Sequence, residues 1–460
     1  MKINWLSWYT KTNEFIKLSF KKYFLFLLRL TPHQNIAQTV LSYTFIGTIV
    51  LSLPFMTTGH VSLIDNFFTA AAAVSTSGLN SVNFADSYTL LGKIIVLLLI
   101  QIGGVGYMTF SSFLFLSFSQ RHHLRLHQQE ALSAEVSLPK NLKMSDFLWS
   151  AVVFTTIAEA IGTFILYNYF RQLDFSTWSA LWYSVFHSVS AFCTAGFSLW
   201  NNSLENFADS GTMNAVISCL ALAGSMGFIV IADLANFIRR KTQEISLTTK
   251  LIVISTISLL AFGTLTFFLT TPSLNLTESF FQSVAAMTTC GFSTVNVSLL
   301  SSASLLVMVL LMCIGGSPAG TAGGIRTTAF CTAVAIMCAR LQLRTRVSIL
   351  GRKIPLMRLY AATSTFLLYT LFLFISIFML TWTEKLPFLS LVVESAAALS
   401  TGGLSTGISG DLSVLGKLII IGTMIIGRIG VLTFGTAVLA SDEESAKEAG
   451  APSSTEDVAV

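Results

Sequence analysis

Charge is scarce in this sequence: 11% of its residues are Asp, Glu, Lys or Arg, against 53% that are hydrophobic. A soluble globular domain carries about 25% charged residues, so the deficit excludes a soluble fold and points to an integral membrane protein. Histidine and cysteine occur six times each with no Cys-x-x-Cys pair, so neither a zinc site nor a disulfide framework is expected. Ionisable residues inside the apolar stretches are few and scattered. That argues against an intramembrane protease or lipid transferase, which needs paired acids, a Ser-Lys pair or a histidine-rich site. Lys2 is not followed by a short apolar core with a small-residue cleavage site, so no removable signal peptide is expected.

What the chain has instead is long apolar runs, near 36–55, 92–116, 148–170, 212–238, 251–271, 303–340, 358–382 and 414–440. Each is close to the roughly 20 residues that cross a bilayer, so eight spans are expected. Lys and Arg concentrate in the N-terminal segment, in the loops 117–147, 239–250 and 340–358, and in the tail, while only Lys93, Arg171, Lys385 and Lys417 fall in the alternate loops. This places both termini in the cytoplasm and makes the opposite vestibule net negative through Asp65, Asp86, Glu205 and Asp411. The net charge of +5 reflects that asymmetry, and no nucleic-acid partner is expected. Aromatics alternating with lysines between Trp5 and Leu30 read as an amphipathic helix lying on membrane lipid.

Four short stretches repeat one pattern, Thr-x-Gly-[Leu/Phe]-[Asn/Ser]: Thr76-Ser77-Gly78-Leu79-Asn80, Thr194-Ala195-Gly196-Phe197-Ser198, Thr289-Cys290-Gly291-Phe292-Ser293 and Thr401-Gly402-Gly403-Leu404-Ser405. Each follows an apolar segment read as a half-length helix: Phe68 to Ser75, Phe186 to Cys193, Phe281 to Thr288 and Val393 to Ser400. Such a helix is about 12 Å long, enough to enter a membrane and turn back. The turn leaves backbone carbonyls without helical partners, which hydrocarbon forbids unless they line an ion- or water-filled path. Helix C-termini favour a cation, and glycine permits a row of carbonyls to face one axis. Rings of carbonyls that replace a hydration shell select potassium. The bland alternative is four helix-packing glycines.

The expected fold is therefore an all-α membrane protein of four pseudo-symmetric span, pore-helix, span repeats, with eight transmembrane helices and four re-entrant helices around a central pore. Its segments are an interfacial stretch 1–35, repeats 36–116, 148–240, 250–342 and 356–440, and an acidic, disordered tail 441–460. The sixth span contains five glycines and Pro318 within Gly315 to Gly324. At about 1 kcal/mol per glycine and about 3 for proline, no helix survives there. No strand precedes this run and no Gly-Lys-[Ser/Thr] follows, so a nucleotide-binding loop is a poor fit.

The motifs, together with Gln101-Ile102-Gly103-Gly104-Val105-Gly106-Tyr107-Met108-Thr109, the run from Gly315 to Ile325 and Gly427-Arg428-Ile429-Gly430, make the chain resemble the membrane subunits of the Ktr potassium transporters. These belong to the Trk/Ktr/HKT superfamily, and the likeness runs from about Thr31 to Ala440. The resemblance implies a bacterial plasma-membrane subunit for potassium uptake, without covalent chemistry or organic cofactor. K+ would sit at filter carbonyls from Thr76, Ser77, Gly78, Thr194, Ala195, Gly196, Thr289, Cys290, Gly291, Thr401, Gly402 and Gly403. It also implies an intramembrane gate formed by Gly316, Ser317, Pro318, Ala319, Gly320, Thr321, Ala322, Gly323 and Gly324, with Arg428 beneath the filter. A homodimer resting on a cytosolic nucleotide-binding regulatory ring is implied as well.

Three readings stay open. The glycine-rich run is a gate, or else a hinge or a cytoplasmic turn. Arg428 repels cations at the gate, or pairs with Glu159 or Asp233, or does both. Asn83, Asn201 and Asn296 follow their glycines by five where the fourth copy has Ile408, so sodium is a rival cargo and sodium dependence is undecided. His187 is read as a scaffold residue, with Gln282 and Glu394 in matching places.

Overall fold

The structure, a computed structural model, describes residues 30–105, 144–240, 244–344 and 346–439. The expected interfacial segment up to residue 29, most of the basic loop 117–147 and the acidic tail lie outside the described residues. The described chain is almost entirely helical. Helix α1 (Pro32–Leu51) begins with a reciprocal cap between Thr31 and Gln34 and with Pro32 at its first position, a donor-free residue where no donor is needed. There follow α2 (Leu63–Ser75), α3 (Leu90–Val105), α4 (Met144–Gln172), α5 (Thr177–Phe192), α6 (Gly211–Met226), α7 (Phe228–Ile238), α8 (Leu247–Thr270) and α9 (Leu276–Met287). The rest are α10 (Ser302–Ile314), α11 (Thr327–Leu341), α12 (Leu356–Thr383), α13 (Phe388–Leu399), α14 (Val414–Ile429) and α15 (Val431–Leu439). Between α11 and α12 a small hairpin pairs Ser348–Ile349 with Arg352–Lys353.

Among the described residues, Ser150–Gln172, Leu247–Thr270 and Leu356–Thr383 are long and apolar enough to cross a membrane alone, and the count is five if each bent pair is one span. The described residues are arranged inversely to a soluble protein: Phe164, Trp178, Ile257, Leu265, Phe374 and Trp382 face outward, while Ser188, Thr194, Ser283, Thr289, Glu394 and Ser400 are buried. Hydroxyls inside the apolar helices bond back one turn, as from Thr44 to Val40 O (2.9 Å) and Thr266 to Phe262 O (2.7 Å), so they cost little in hydrocarbon.

The four short helices α2, α5, α9 and α13 are longer than the expected half-helices. Side-chain caps at Ser62, Ser176 and Asn275 extend the first three toward their N-termini, and Pro387 precedes the fourth. Each packs on the helices before and after it, and on the helix following the previous short one: α2 on α14, α5 on α3, α9 on α6, α13 on α10. The cycle closes on itself. The apolar runs expected as single spans over 212–238 and 414–440 are sharply bent, by 91° at Gly227 and 95° at Gly430. Gly227 adopts φ 82°, ψ 151° and Gly430 φ 89°, ψ 130°, a backbone that only glycine enters without a large steric cost. The run 303–340 breaks where expected, between Ile314 and Thr327.

Candidate functional site

The four short helices end in the same hydrogen bonds. In the first copy the Thr76 N–H donates to Ala73 O (3.2 Å) and the Ser77 N–H to Ala72 O (2.9 Å). The equivalent pairs are 3.1 and 2.8 Å at Thr194 and Ala195, 3.3 and 2.9 Å at Thr289 and Cys290, and 3.2 and 2.7 Å at Thr401 and Gly402. This is the Schellman closure, which requires one left-handed residue. Here a threonine fills that place each time, with φ of 55°, 52°, 52° and 54°. A β-branched residue there costs about 1–2 kcal/mol, and the fourfold recurrence marks the conformation as imposed by what surrounds it.

The glycines that follow have φ of 71°, 66°, 81° and 63°, and each lies against a carbonyl of the next copy. A Cβ on Gly78 would stand 2.2 Å from Ala195 O, on Gly196 2.6 Å from Cys290 O, on Gly291 3.1 Å from Gly402 O and on Gly403 2.1 Å from Ser77 O. First touches second, second third, third fourth, and fourth first. Segments whose glycines lie 118, 95 and 112 residues apart in sequence (196−78, 291−196, 403−291) thus bring glycines and carbonyl oxygens into one closed ring.

Beyond the ring, on the side of the residues that follow the glycines, lies a cavity of about 560 Å³, lined by all four glycines and by Asn83, Asn201, Asn296 and Glu205. Of the acids expected to make this side negative, Asp65 is neutralised by an ion pair while Asp86 is held by neutral donors and keeps its charge. Asp65 is paired with Lys417 at 2.8 Å, and Asp86 accepts from Asn83 (2.8 Å) and Asn201 (2.9 Å). Asn296 caps the turn at Ser298 (3.0 Å). The asparagines therefore build the loops that bound the cavity.

On the opposite side of the ring lies the glycine-rich break. Its residues Ser317, Thr321 and Ala322 are at most 1% exposed, which does not fit a solvent-facing cytoplasmic turn. The Thr321 hydroxyl donates to Phe192 O (3.1 Å) and lies 3.2 Å from the Thr194 hydroxyl. The Gly323 N–H donates to Thr289 Oγ1 at 3.0 Å. A Cβ on Gly323 would stand 2.1 Å from Ser400 O and 2.5 Å from Thr401 Oγ1. Arg326 Nη1 donates to Ser317 O (2.9 Å) and Ala322 O (2.6 Å), folding the loop on itself. Arg428 donates to Thr76 Oγ1 (3.1 Å), Thr321 O (2.9 Å) and Gly103 O. Glu159 and Asp233, the acids considered as its partners, accept from Gln101 Nε2 (3.2 Å) and the Ser246 N–H (2.9 Å).

The structure adds residues that sequence reading did not single out. The loop is bonded to the bend between α6 and α7: Ser317 N–H to Ser225 O (3.0 Å), Thr321 N–H to Gly224 O (3.0 Å) and Phe228 N–H to Ala319 O (3.1 Å). Backbone acceptors leave no trace in sequence. The sequence mark of this bend is the pair Gly224 and Gly227 inside an apolar run. His187 has the expected scaffold role: it is fully buried, with Nδ1 on Tyr183 O (2.8 Å) and Nε2 accepting the Leu199 N–H (3.4 Å).

Comparison with known proteins agrees with this architecture. The family model described as TrkH, cation transport protein, matches residues 17–276 and 247–447. The Ktr system potassium uptake protein B of Bacillus subtilis is 35% identical over 88% of this chain and 93% of its own length. The potassium/sodium uptake protein NtpJ of Enterococcus hirae is 33% identical over 88% and 92%. The crystal structure of the potassium transporter TrkH from Vibrio parahaemolyticus superimposes with a TM-score of 0.71 over 88% of this chain and 84% of that one, at 17% identity, so the two share a fold. On the length and strength of these matches, the chain is a membrane transport protein rather than an enzyme, and it belongs to the TrkH family of cation transport proteins.

Proposed function

We propose that the chain is the ion-translocating membrane subunit of a potassium uptake system, with the four-glycine ring as its selectivity filter. The observation that carries this reading is the closed cycle of contacts from Gly78 through Ala195, Gly196, Cys290, Gly291, Gly402 and Gly403 to Ser77. A soluble enzyme or a packing scaffold has no use for backbone oxygens gathered from four segments. Around a cation they replace the water it sheds. In this reading four span, pore-helix, span repeats supply eight transmembrane helices, both termini are cytoplasmic, and K+ enters from the outer cavity. It sheds its water at the carbonyls of the four Thr-x-Gly motifs.

The loop from Gly316 to Gly324, buried at Gly316, Ser317 and Thr321 to Gly323, is with Arg428 the gate. It contacts the inner threonines of the ring and must move for an ion to pass. At about 6 Å and an effective dielectric of about 20, a guanidinium repels a potassium ion by about 3 kcal/mol. Partners are a second copy of the chain and a cytosolic nucleotide-binding ring that acts on the basic cytoplasmic face. Sodium as co-ion or rival cargo is the second reading. It is favoured by the unequal mouth, where Ile408 stands in the place of three asparagines, and by the potassium/sodium name of the Enterococcus relative.

Rubidium uptake into a strain deficient in potassium transport tests both readings. Uptake by the wild type that Gly291→Ser abolishes or makes sodium-permeable is the expected result. Unchanged transport in Gly291→Ser overturns the filter assignment, and equal rates for sodium and potassium in the wild type favour the rival.

A further inference from the structure

Nine residues before each ring glycine, the short helices carry a buried polar side chain: Thr69, His187, Gln282 and Glu394. In three copies it reaches the hydroxyl two residues after the glycine. His187 lies 3.4 Å from Ser198 Oγ, Gln282 Nε2 donates to Ser293 Oγ (2.9 Å) and Ser405 Oγ donates to Glu394 Oε2 (2.7 Å). In the first copy Thr69 accepts from Tyr88 OH (3.1 Å), and Asn80 folds onto Gly78 O (3.0 Å). The side chain thus ties the helix entering the ring to the segment leaving it.

Glu394 differs from the others in what its chemistry is asked to hold. Ser405 Oγ accepts the Gly407 N–H (2.9 Å), as Ser198 Oγ accepts the Trp200 N–H (3.0 Å) and Ser293 Oγ the Val295 N–H (3.3 Å), but where those two hydroxyls donate to backbone carbonyls, that of Ser405 donates to a carboxylate oxygen. The second carboxylate oxygen accepts from Ser409, next to Ile408, the residue that replaces the asparagine of the other copies. One fully buried carboxylate therefore anchors both ends of the 405–409 turn, where the other copies rely on asparagine-built loops.

We propose that Glu394 is a specificity-determining positioning residue, which fixes the outer mouth of the fourth filter segment through Ser405 and Ser409 and thereby sets the preference for potassium over sodium. This rests on the filter reading above. Glu394 touches no ion itself. A glutamine keeps its volume but offers a single acceptor oxygen, which leaves one serine without its present partner.

The test measures rubidium uptake and sodium competition in proteoliposomes or a transport-deficient strain, normalised to inserted protein, for Glu394→Gln, Ser405→Ala and Ser409→Ala. Thr44→Ala, whose hydroxyl bonds only within α1, is the control. The expected result is a rise of about tenfold in half-saturating rubidium with a matching loss of sodium exclusion, while the maximal rate stays within about twofold. If Glu394→Gln does not insert, the two serine variants carry the test. Wild-type half-saturation and sodium exclusion in the variants, or a loss of protein alone, overturns the proposal while leaving the filter reading intact. A wild type that takes up no rubidium removes both.

Discussion

Arg428 donates to the hydroxyl of Thr76 across 3.1 Å, so the arginine of the last long helix pair is bonded to a residue of the ring's inner edge. The same guanidinium holds Thr321 O of the buried loop at 2.9 Å. Removing it has two opposed consequences. Flux rises, because the loop loses a tie and the passing ion loses a repulsive charge. Stability falls, because buried oxygens are left without donors at about 1–3 kcal/mol each. In proteoliposomes, Arg428→Ala should raise unstimulated rubidium flux at least several-fold, and about a hundredfold if the whole repulsion of about 3 kcal/mol leaves the barrier. In detergent its thermal midpoint should fall. Unaltered basal flux in a folded variant contradicts the gate.

The ring glycines are not equally intolerant. A methyl group at Gly78 or Gly403 meets a backbone oxygen at 2.2 or 2.1 Å, whereas at Gly291 the nearest oxygen is 3.1 Å away. All three have positive φ, which adds about 1 kcal/mol or more for alanine. Gly78→Ala and Gly403→Ala should therefore abolish uptake, and Gly291→Ala should retain a measurable rate with weakened selectivity. Uptake assays on the three variants check the order, and Gly291→Ala being the most damaging would contradict it.

The site was legible in sequence where it depends on residues with unusual backbone needs. Four copies of Thr-x-Gly and the glycines around Pro318 stand out from any apolar span. What could not be read depends on ordinary groups. The carbonyls of Gly103, Ser225 and Thr321 take part in the loop contacts, and every residue has a carbonyl. The starts of α2, α5 and α9 were missed because serine and asparagine caps at Ser62, Ser176 and Asn275 look like loop residues until the helix is known. Asp65 reads as part of a charged mouth, but Lys417, which neutralises it, lies too far away in sequence to be assigned.

The bend at Gly227 makes a separate prediction about how the loop is moved. A Cβ there would lie 2.6 Å from Ser317 Oγ and 2.7 Å from Pro318 O. Gly227→Ala should push the loop out of its present seat and disfavour the 91° bend together. Expected outcomes are altered flux at unchanged ion preference and a lowered thermal midpoint. A shift in preference with the rate preserved would mean that the bend acts on the ring itself.

Asp65 and Lys417 form an ion pair of 2.8 Å with side chains only 13% and 12% exposed, joining the first turn of α2 to the first turn of α14. Asp65 also accepts from Ser62 (2.6 Å) and Ser81 (2.8 Å), so the carboxylate holds the end of a short helix and the segment that leaves the ring. Removing one partner strands a nearly buried charge, at about 3–5 kcal/mol. Removing both replaces the pair by neutral groups and restores part of that loss. Asp65→Asn and Lys417→Met should each lower the thermal midpoint in detergent more than the double variant does, with a favourable coupling energy from the cycle. Additive losses would show that the two charges do not stabilise one another, and that the join between α2 and α14 rests on apolar packing alone.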